Sequence, residues 1–395
     1  MMKKVPADEL KKRMDGFKHQ MDNSHPDWEI AAIFTNINMY YFTGTMQDGV
    51  LLIPREEEPA LWVRRSYKRA LEESLFPHIN SMDSFRNIAV TISHFPEEVF
   101  LETDNLPLGQ YHRFRKHFPV QRFKSLDPVI NKLRSLKSKY ELDLMKKAGK
   151  IQGRVLEEMV PSLLKTGITE SQLTASIYQL MIQEGHHGVT RFGMFDTQMV
   201  LGQICFGDSS IYPSYLNSPG GNYGSPAVPL FASNRKLKEG EVVFVDVGCG
   251  VQGYHTDKTM TYLFKGSLPQ SAREDHERCV HIQNKLASLL KPGAIPAEIY
   301  QQIMDDLEPA FLENFMGYGD NQVKFLGHGI GLIIDELPVI APGFLEPLQE
   351  GMVLALEPKK AIKDLGMVGI ENTFIVTKKG GKCITGDNPG MINIH

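Results

Sequence analysis

The stretch from Val242 to Tyr262 constrains the fold of this chain more than any other, and it reads V-V-F-V-D-V-G-C-G-V-Q-G-Y-H-T-D-K-T-M-T-Y. A β-branched and aromatic run leads into three glycines, and Thr and Tyr then alternate, which predicts two antiparallel strands joined by a turn. Each strand contains one carboxylate, Asp246 or Asp257, and no Lys or Arg nearby in the sequence is placed to pair with both. Either aspartate alone is explained by capping of a strand end or turn. Two anions in one apolar hairpin, however, are costly unless a cation compensates them.

Three further residues of ligand type lie in similar apolar surroundings in the C-terminal half. His328 lies in G-H-G-I-G, Glu357 closes M-V-L-A-L-E-P, and Glu371 lies in M-V-G-I-E-N-T-F-I-V-T. Together with the two aspartates they make four carboxylates and one imidazole, a set that predicts an oxygen-rich site for two divalent ions. Such ligands suit Mn, Fe or Co, with Zn as an alternative, and they argue against a closed structural zinc site.

The order Asp, Asp, His, Glu, Glu, with ten residues between the aspartates, resembles the pita-bread metallopeptidase family of Xaa-Pro aminopeptidases, prolidases and methionine aminopeptidases. The matching motifs are D-V-G-C-G-V-Q-G-Y-H-T-D, G-H-G-I-G, G-M-V-L-A-L-E-P and G-I-E-N-T. They cover roughly the C-terminal two-thirds of the chain. The stretches N-M-Y-Y-F-T-G and L-W-V-R-R-S-Y-K-R-A are similar to the N-terminal domain of the prolidase and creatinase branch.

A chain of 395 residues exceeds the usual size of a single core, so two domains are expected. We place a smaller N-terminal α/β domain at 1–136 and the catalytic domain at 137–395, an α+β unit overall. The N-terminal domain is predicted to have a first helix over Ala7–Asp22, a surface helix in S-Y-K-R-A-L-E-E-S and short strands between them. The strand-like runs are Ala31–Phe34, Gly49–Ile53, Ala60–Val63, Ile88–Ile92 and Val99–Leu101.

The catalytic domain is predicted to begin with two long helices, Lys139–Val160 and Thr169–Gln183, the second capped by T-E-S-Q. A loop rich in Gly, Pro, Ser and Asn follows over Phe206–Ser233, and we interpret it as a wall or lid of the active site. The resemblance implies a curved antiparallel sheet backed by helices, with the metals on its concave face.

Composition excludes several classes of protein. A net charge of -4 gives no support to a nucleic-acid or membrane-surface partner, and no apolar run reaches the length of a signal peptide or a membrane span. Four sparse cysteines without a C-x-x-C pair favour a reduced, cytoplasmic protein. The resemblance implies a homodimer that acts on a short peptide or small molecule.

The resemblance also implies residue roles. Asp246 and Asp257 would bind one ion, and Asp257, His328, Glu357 and Glu371 the other, with Mn expected first and Co, Fe or Zn as alternatives. Glu357 would move the proton from the attacking water to the leaving nitrogen. The implied reaction is hydrolysis of the amide bond before proline, as in an Xaa-Pro aminopeptidase or dipeptidase.

The sequence departs from the family pattern around the substrate. Asp335 stands where the family has a histidine in H-E-x-P, A-V-P-L-F-A-S lacks the other usual histidine, and Met260 replaces an arginine. A carboxylate donates no hydrogen bond to an oxyanion unless it is protonated. His255, two residues before Asp257 and hence on its face of a regular strand, is a candidate replacement; a strand histidine directed past the site is the alternative. Two other readings therefore stay open: a non-peptide C–N hydrolase or lyase on this scaffold, and a non-catalytic binding module.

Overall fold

The computed structural model describes residues 3–92, 95–387 and 389–395. The chain forms two compact units, Met1–Arg134 and Ser135–His395, each with its own core. The border lies two residues before the one predicted from the sequence. Within the described ranges, no helix is both long enough and apolar enough to span a membrane.

The N-terminal unit is built on a six-stranded mixed sheet in the order β4-β3-β2-β1-β5-β6, in which β1–β2 and β2–β3 are antiparallel and the other pairs parallel. Its strands are β1 (Ile30–Ile33), β2 (Gly49–Pro54), β3 (Ala60–Val63), β4 (Ile79–Ser81), β5 (Glu98–Leu101) and β6 (Arg122–Ser125). Its helices are α1 (Ala7–Ser24), α2 (Asn36–Thr43), α3 (Tyr67–Glu73), α4 (Phe85–Ala89), α5 (Leu108–Arg115) and α6 (Asp127–Ser135). The predicted α/β class is confirmed for this unit.

One predicted strand of this unit is wrong. The run Ile88–Ile92 overlaps helix α4, because Ser84 and Asn87 cap its N-terminus reciprocally. The Ser84 hydroxyl accepts from the Arg86 amide at 3.3 Å, and the Asn87 side-chain oxygen accepts from the Ser84 amide at 3.0 Å. These bonds satisfy amides that a helix start leaves unpaired, and they outweigh the β propensity of Ile and Val.

The second unit contains three sheets, in the orders β17-β9-β8-β7, β11-β10-β12-β15-β16 and β13-β14. Its strands are β7 (Gly202–Phe206), β8 (Val242–Val251), β9 (Tyr254–Phe264), β10 (Gly327–Gly329), β11 (Glu336–Val339), β12 (Val353–Leu356), β13 (Lys359–Ile362), β14 (Gly366–Gly369), β15 (Asn372–Thr377), β16 (Gly380–Cys383) and β17 (Ile392–Ile394). Its α-helices are α7 (Lys139–Gly153), α8 (Glu170–Glu184), α9 (Gln270–Leu289), α10 (Pro296–Asp305) and α11 (Pro309–Leu312). Short 3-10 turns span Val160–Leu163, Gly207–Ile211 and Gly319–Asn321.

The hairpin β8–β9 is the longest strand pair of this unit. Its register places Asp246 opposite Thr259 and Gly248 opposite Asp257. The two turn residues Gln252 and Gly253 both have positive φ, 50° and 93°, as expected for a two-residue turn whose twist matches its strands. The predicted antiparallel hairpin is therefore confirmed.

Helices pack against the sheets in two pairs. Helices α7 and α8 share a core with β7, β8 and β9, and helices α9 and α10 share another with β12 and β15. Helix α8 begins with the predicted capping box, in which the Thr169 hydroxyl accepts from the Gln172 amide and the Gln172 side chain accepts from the Thr169 amide. The first long helix ends its α-helical part at Gly153 and continues as a π-helical turn over Arg154–Met159. The carbonyl of Leu156 within this turn accepts a hydrogen bond from the buried Tyr262 hydroxyl at 2.6 Å.

Candidate metal centre and its pocket

All five predicted ligands line one pocket. They come from five separate strands or strand ends: Asp246 from β8, Asp257 from β9, His328 from β10, Glu357 from the residue after β12, and Glu371 from the residue before β15. A bridge between Thr259 and Glu371 joins β9 to the start of β15, with backbone N···O distances of 3.2 and 3.4 Å. This bridge brings the hairpin and the five-stranded sheet together at the site.

The His328 imidazole is oriented by the loop that follows it. Its Nδ1 lies 3.0 Å from the Gly329 carbonyl oxygen and 3.1 Å from that of Ile334, so Nδ1 is placed to hold the proton and donate it. Nε2 faces the carboxylates, 3.5 Å from Glu357 Oε1 and 3.7 Å from Glu371 Oε1. A histidine whose Nδ1 is held by a backbone carbonyl presents the Nε2 lone pair, as metal-binding histidines generally do.

Glu371 has one satisfied and one unsatisfied oxygen. Its Oε2 accepts from the Thr259 hydroxyl at 2.9 Å and from the Lys359 ammonium at 2.8 Å. Its Oε1 is buried and has no hydrogen-bond partner among the residues that the structure describes. A buried carboxylate oxygen left in this way requires an explanation, and a metal ion supplies one.

The residues present fit one divalent ion well. Asp257, His328 and Glu371 offer ligand atoms that all lie within 4.8 Å of one another, and all three residues are buried. Two carboxylates and an imidazole suit several transition metals, so the donor set alone does not select one.

Lys359 is the residue of this site that sequence reasoning missed. It is fully buried, and its Nζ donates to Asp246 Oδ2 at 2.9 Å, to Glu357 Oε2 at 2.8 Å and to Glu371 Oε2 at 2.8 Å. A signal was present: Lys359 lies two residues after Glu357 in an extended run, and such residues share a face. The cation that the hairpin's aspartates require comes from far along the chain.

The pKa values of the carboxylates around Lys359 are shifted because these groups are buried close to one another. Burial, followed by the charge of Glu371, raises the pKa of Glu357 to about 7 despite the neighbouring ammonium. Burial likewise raises the pKa of Asp246 to about 6. Burial opposes ionisation of Glu371 too, but the charge of Lys359 and the adjacent His328 outweigh it and lower that pKa to about 2. Glu357 is therefore a carboxylate able to take up a proton near neutral pH.

The two other predicted site residues lie in different surroundings. Asp335 lines the pocket with half of its side chain exposed, and its Oδ1 is 3.6 Å from His328 Nδ1. His255 is buried and is not among the residues that line this pocket; its Nδ1 lies 3.2 Å from the Gly331 carbonyl oxygen and its Nε2 3.4 Å from that of Val189. Burial lowers the pKa of His255 to about 3, so the ring is neutral at ordinary pH.

The pocket has an apolar side and a loop side. The empty space inside it, with the open mouth included, is about 450 Å³. Its apolar side is formed by Phe192, Met199, Phe325 and Ile334. The residues Leu216, Asn217 and Ser218 of the long loop also line it, which agrees with the wall expected there.

The fold and the carboxylate–histidine centre define a metallopeptidase-type protein. The model of metallopeptidase family M24 matches residues 143–378, and the chain belongs to this family. The creatinase/prolidase N-terminal domain matches residues 13–136. The family implies a divalent-metal centre, which agrees with the residues that line the pocket.

Similar proteins match over nearly the whole chain. The Xaa-Pro dipeptidase of Pyrococcus furiosus is 28% identical over 378 residues, 95% of this chain and 98% of that protein. The crystal structure of the prolidase from Pyrococcus horikoshii OT3 has a TM-score of 0.76 at 26% identity, covering 95% of this chain and 98% of that one. An Xaa-Pro dipeptidase from Bacillus anthracis shares the fold with a TM-score of 0.79 at 21% identity, over 97% of this chain and 99% of that one.

Proposed function

We propose that this chain is a metal-dependent hydrolase that cleaves the amide bond before proline in dipeptides or short Xaa-Pro peptides. The observation that most supports the proposal is the group of Asp257, His328 and Glu371, three buried residues that line one pocket and could hold a metal ion. The similarity to an Xaa-Pro dipeptidase over 95% of the chain supports the substrate class. Mn²⁺ is the metal we propose first, and a cytoplasmic homodimer is the form we propose for the protein.

A divalent ion bound at this centre would supply Lewis-acid polarisation of the scissile carbonyl. Residues of the chain would supply proton transfer and contacts with the substrate. Glu357, with its pKa near 7, accepts the proton of the attacking water and delivers it to the departing nitrogen of proline. Phe192, Phe325 and Ile334 give the pyrrolidine ring an apolar surface and exclude water from the bond that breaks.

Asp335 is suited to a different part of the substrate. Its half-exposed carboxylate at the pocket wall cannot donate to an oxyanion while ionised, but it can pair with the cationic amino terminus of a dipeptide. We expect Asp335→Asn to raise KM for free dipeptides more than it lowers kcat. A change confined to kcat would contradict this role.

His255 was predicted as a replacement for a missing histidine, and this stays a prediction. The contacts favour an indirect role, because His255 meets the carbonyl of Gly331 in the loop whose Ile334 carbonyl orients His328. His255→Ala is expected to weaken metal binding and turnover together. Unchanged turnover in this variant would rule out both the replacement and the positioning role.

The test is hydrolysis of a panel of Xaa-Pro dipeptides and Xaa-Pro-Yaa tripeptides by Mn²⁺-loaded protein, with Glu357→Ala as the blank. Cleavage before proline that disappears in the blank supports the proposal. Metal-loaded protein that cleaves none of these peptides would contradict it and would favour the non-peptide C–N hydrolase or lyase reading.

A further inference from the structure

We propose that the Lys359 ammonium takes the place of a second metal ion, so that each chain binds one divalent ion instead of the two expected from the resemblance. The inference does not depend on the substrate.

The ammonium occupies the space between three carboxylates. Nζ lies 2.9 Å from Asp246 Oδ2, 2.8 Å from Glu357 Oε2 and 2.8 Å from Glu371 Oε2. An ammonium has three N–H donors, and these contacts use all of them. A metal ion bound to the same oxygens would need the same space, because its bonds to carboxylate oxygens are only about 2.0–2.2 Å long.

The backbone fixes the lysine at this position. Lys359 opens strand β13 and pairs with Gly369 of β14. A Cβ added at Gly369 would lie 2.7 Å from the Lys359 Cα and 2.6 Å from the Pro358 carbonyl oxygen, so only a glycine permits this close approach. The Lys359 carbonyl also accepts from the Met316 amide at 2.8 Å. The Lys359 side chain is fully buried, so its ammonium has no contact with solvent.

Of the two adjacent lysines of β13, only Lys359 directs its Nζ into the carboxylates of the pocket. Lys360 Nζ donates to the carbonyls of Phe311 and Glu313, away from the metal pocket. The alternation along β13 therefore sends one lysine into the carboxylates and the next to the opposite side. Lys360 is a matched control for any effect of losing a buried lysine from this strand.

The charges favour the same conclusion. The Lys359 ammonium already places one positive charge within the group of carboxylates formed by Asp246, Asp257, Glu357 and Glu371. A second divalent ion would have to lie beside an ammonium already bonded to its ligands, where like charges repel strongly in a buried site.

The oxygens not bonded to Lys359 define the remaining position. Within the described part of the chain, Glu371 Oε1 has no hydrogen-bond partner, and His328 Nε2 lies 3.7 Å from it. Asp257 completes this group. The Lys359 contacts and the free ligand atoms thus belong to two adjacent positions, of which one is filled by the protein itself.

The experiment measures metal content, not activity. Protein is stripped with chelator, reconstituted with excess Mn²⁺ and desalted, and Mn per chain is determined by elemental analysis for wild type, Lys359→Met and Lys360→Met. We expect one ion in wild type and in Lys360→Met, and two in Lys359→Met. Two ions in wild type, or one ion in a folded Lys359→Met, would overturn the proposal.

A second measurement needs no variant. Electron paramagnetic resonance of the Mn²⁺-loaded wild type is expected to give the six-line signal of an isolated ion. A spin-coupled spectrum of two Mn²⁺ ions would overturn the proposal even if Lys359→Met failed to fold. Because no peptide is present in either experiment, failure here is distinct from failure of the proposed peptidase activity.

Discussion

Thr259 contributes one hydroxyl to the candidate metal centre, and that hydroxyl positions the proposed ligand Glu371. It donates to Glu371 Oε2 at 2.9 Å and so holds Oε1 of the same carboxylate toward Asp257 and His328. Partners of this kind typically change metal affinity by about 10- to 100-fold when removed. We expect Thr259→Val to raise the Kd for Mn²⁺ by roughly that factor, measured by calorimetric titration.

Thr261 provides the control for this prediction. It lies two residues further along β9, is equally buried, and donates to the Gly369 carbonyl at 2.8 Å instead of to a ligand. Thr261→Val should lose some stability and keep its metal affinity. Equal loss of affinity in both variants would show that the strand, and not the Thr259 hydroxyl, is responsible.

His276 determines part of the pH dependence of stability. It is buried on α9, where its Nδ1 accepts from the Gly369 amide at 3.2 Å, and burial lowers its pKa from 6.5 to about 4. Below pH 6.5 the unfolded chain binds a proton at this residue and the folded chain does not, so stability falls as pH falls. At about 1.4 kcal/mol per pH unit, the loss reaches roughly 3 kcal/mol by pH 4.

The glutamine variant isolates this contribution. His276→Gln cannot titrate and retains an acceptor for the Gly369 amide. Urea unfolding of both proteins between pH 7 and pH 4 should therefore show a smaller decline for the variant. Parallel declines would mean that His276 is protonated in the folded protein.

Residue identity alone predicted the carboxylates and the histidine that line the pocket, but not the lysine among them. Asp246 and Glu371 are conspicuous in sequence because each interrupts an apolar run. Lys359 is 113 residues from Asp246, and charged residues in short extended runs are usually exposed. Only the fold brings the two together, so the pairing had no local signal beyond the spacing from Glu357.

At the scale of elements, the hairpin β8–β9 is tied to the π-helical extension of helix α7 by an ion pair whose lysine is fully buried. Lys258 Nζ lies 3.0 Å from Glu157 Oε1 and donates to Asn372 Oδ1 at 2.6 Å, and Lys258 is fully buried. Removing one partner of a buried pair typically costs about 3–5 kcal/mol because it leaves an uncompensated charge. We expect Lys258→Met to lower the free energy of unfolding by roughly this amount, measured by urea denaturation.

The double variant tests whether charge is the cause. Lys258→Met with Glu157→Leu removes both charges and should recover much of the lost stability, since an apolar pair of similar volume is often neutral. A double variant as unstable as Lys258→Met would attribute the loss to packing of the lysine stem.

Helices and strands were predictable from the sequence where the residues that determine them lie within a few positions of one another. The hairpin and the cap of α8 follow from turn and capping chemistry within a few residues, and both are confirmed. The β-branched content of Ile88–Ile92 predicts a strand, whereas the capping pair Ser84 and Asn87 before it starts helix α4. The π-helical turn had no signal in its own sequence, since it involves a hydrogen bond from Tyr262, 106 residues away.

At the scale of the whole molecule, both tryptophans of the chain, Trp28 and Trp62, belong to the N-terminal unit, while the metal centre belongs to the other. Trp28 is buried and donates to Asp22 Oδ1 at 2.8 Å, so its fluorescence reports unfolding of the N-terminal unit. Metal that binds only the folded second unit stabilises that unit by about 2.7 kcal/mol at 100 times Kd. Because each unit has its own core, we expect the two to respond separately.

Thermal unfolding followed by two probes tests this expectation. Saturating Mn²⁺ should raise the calorimetric Tm of the larger unit by roughly 5 °C or more, while the midpoint of tryptophan fluorescence stays within about 1 °C. The Asp257→Asn variant, which removes a candidate ligand, serves as the control in which neither midpoint responds. If the tryptophan midpoint rose together with the calorimetric Tm, the two units would unfold as one cooperative body, and the stability of the N-terminal unit would depend on metal bound by the other.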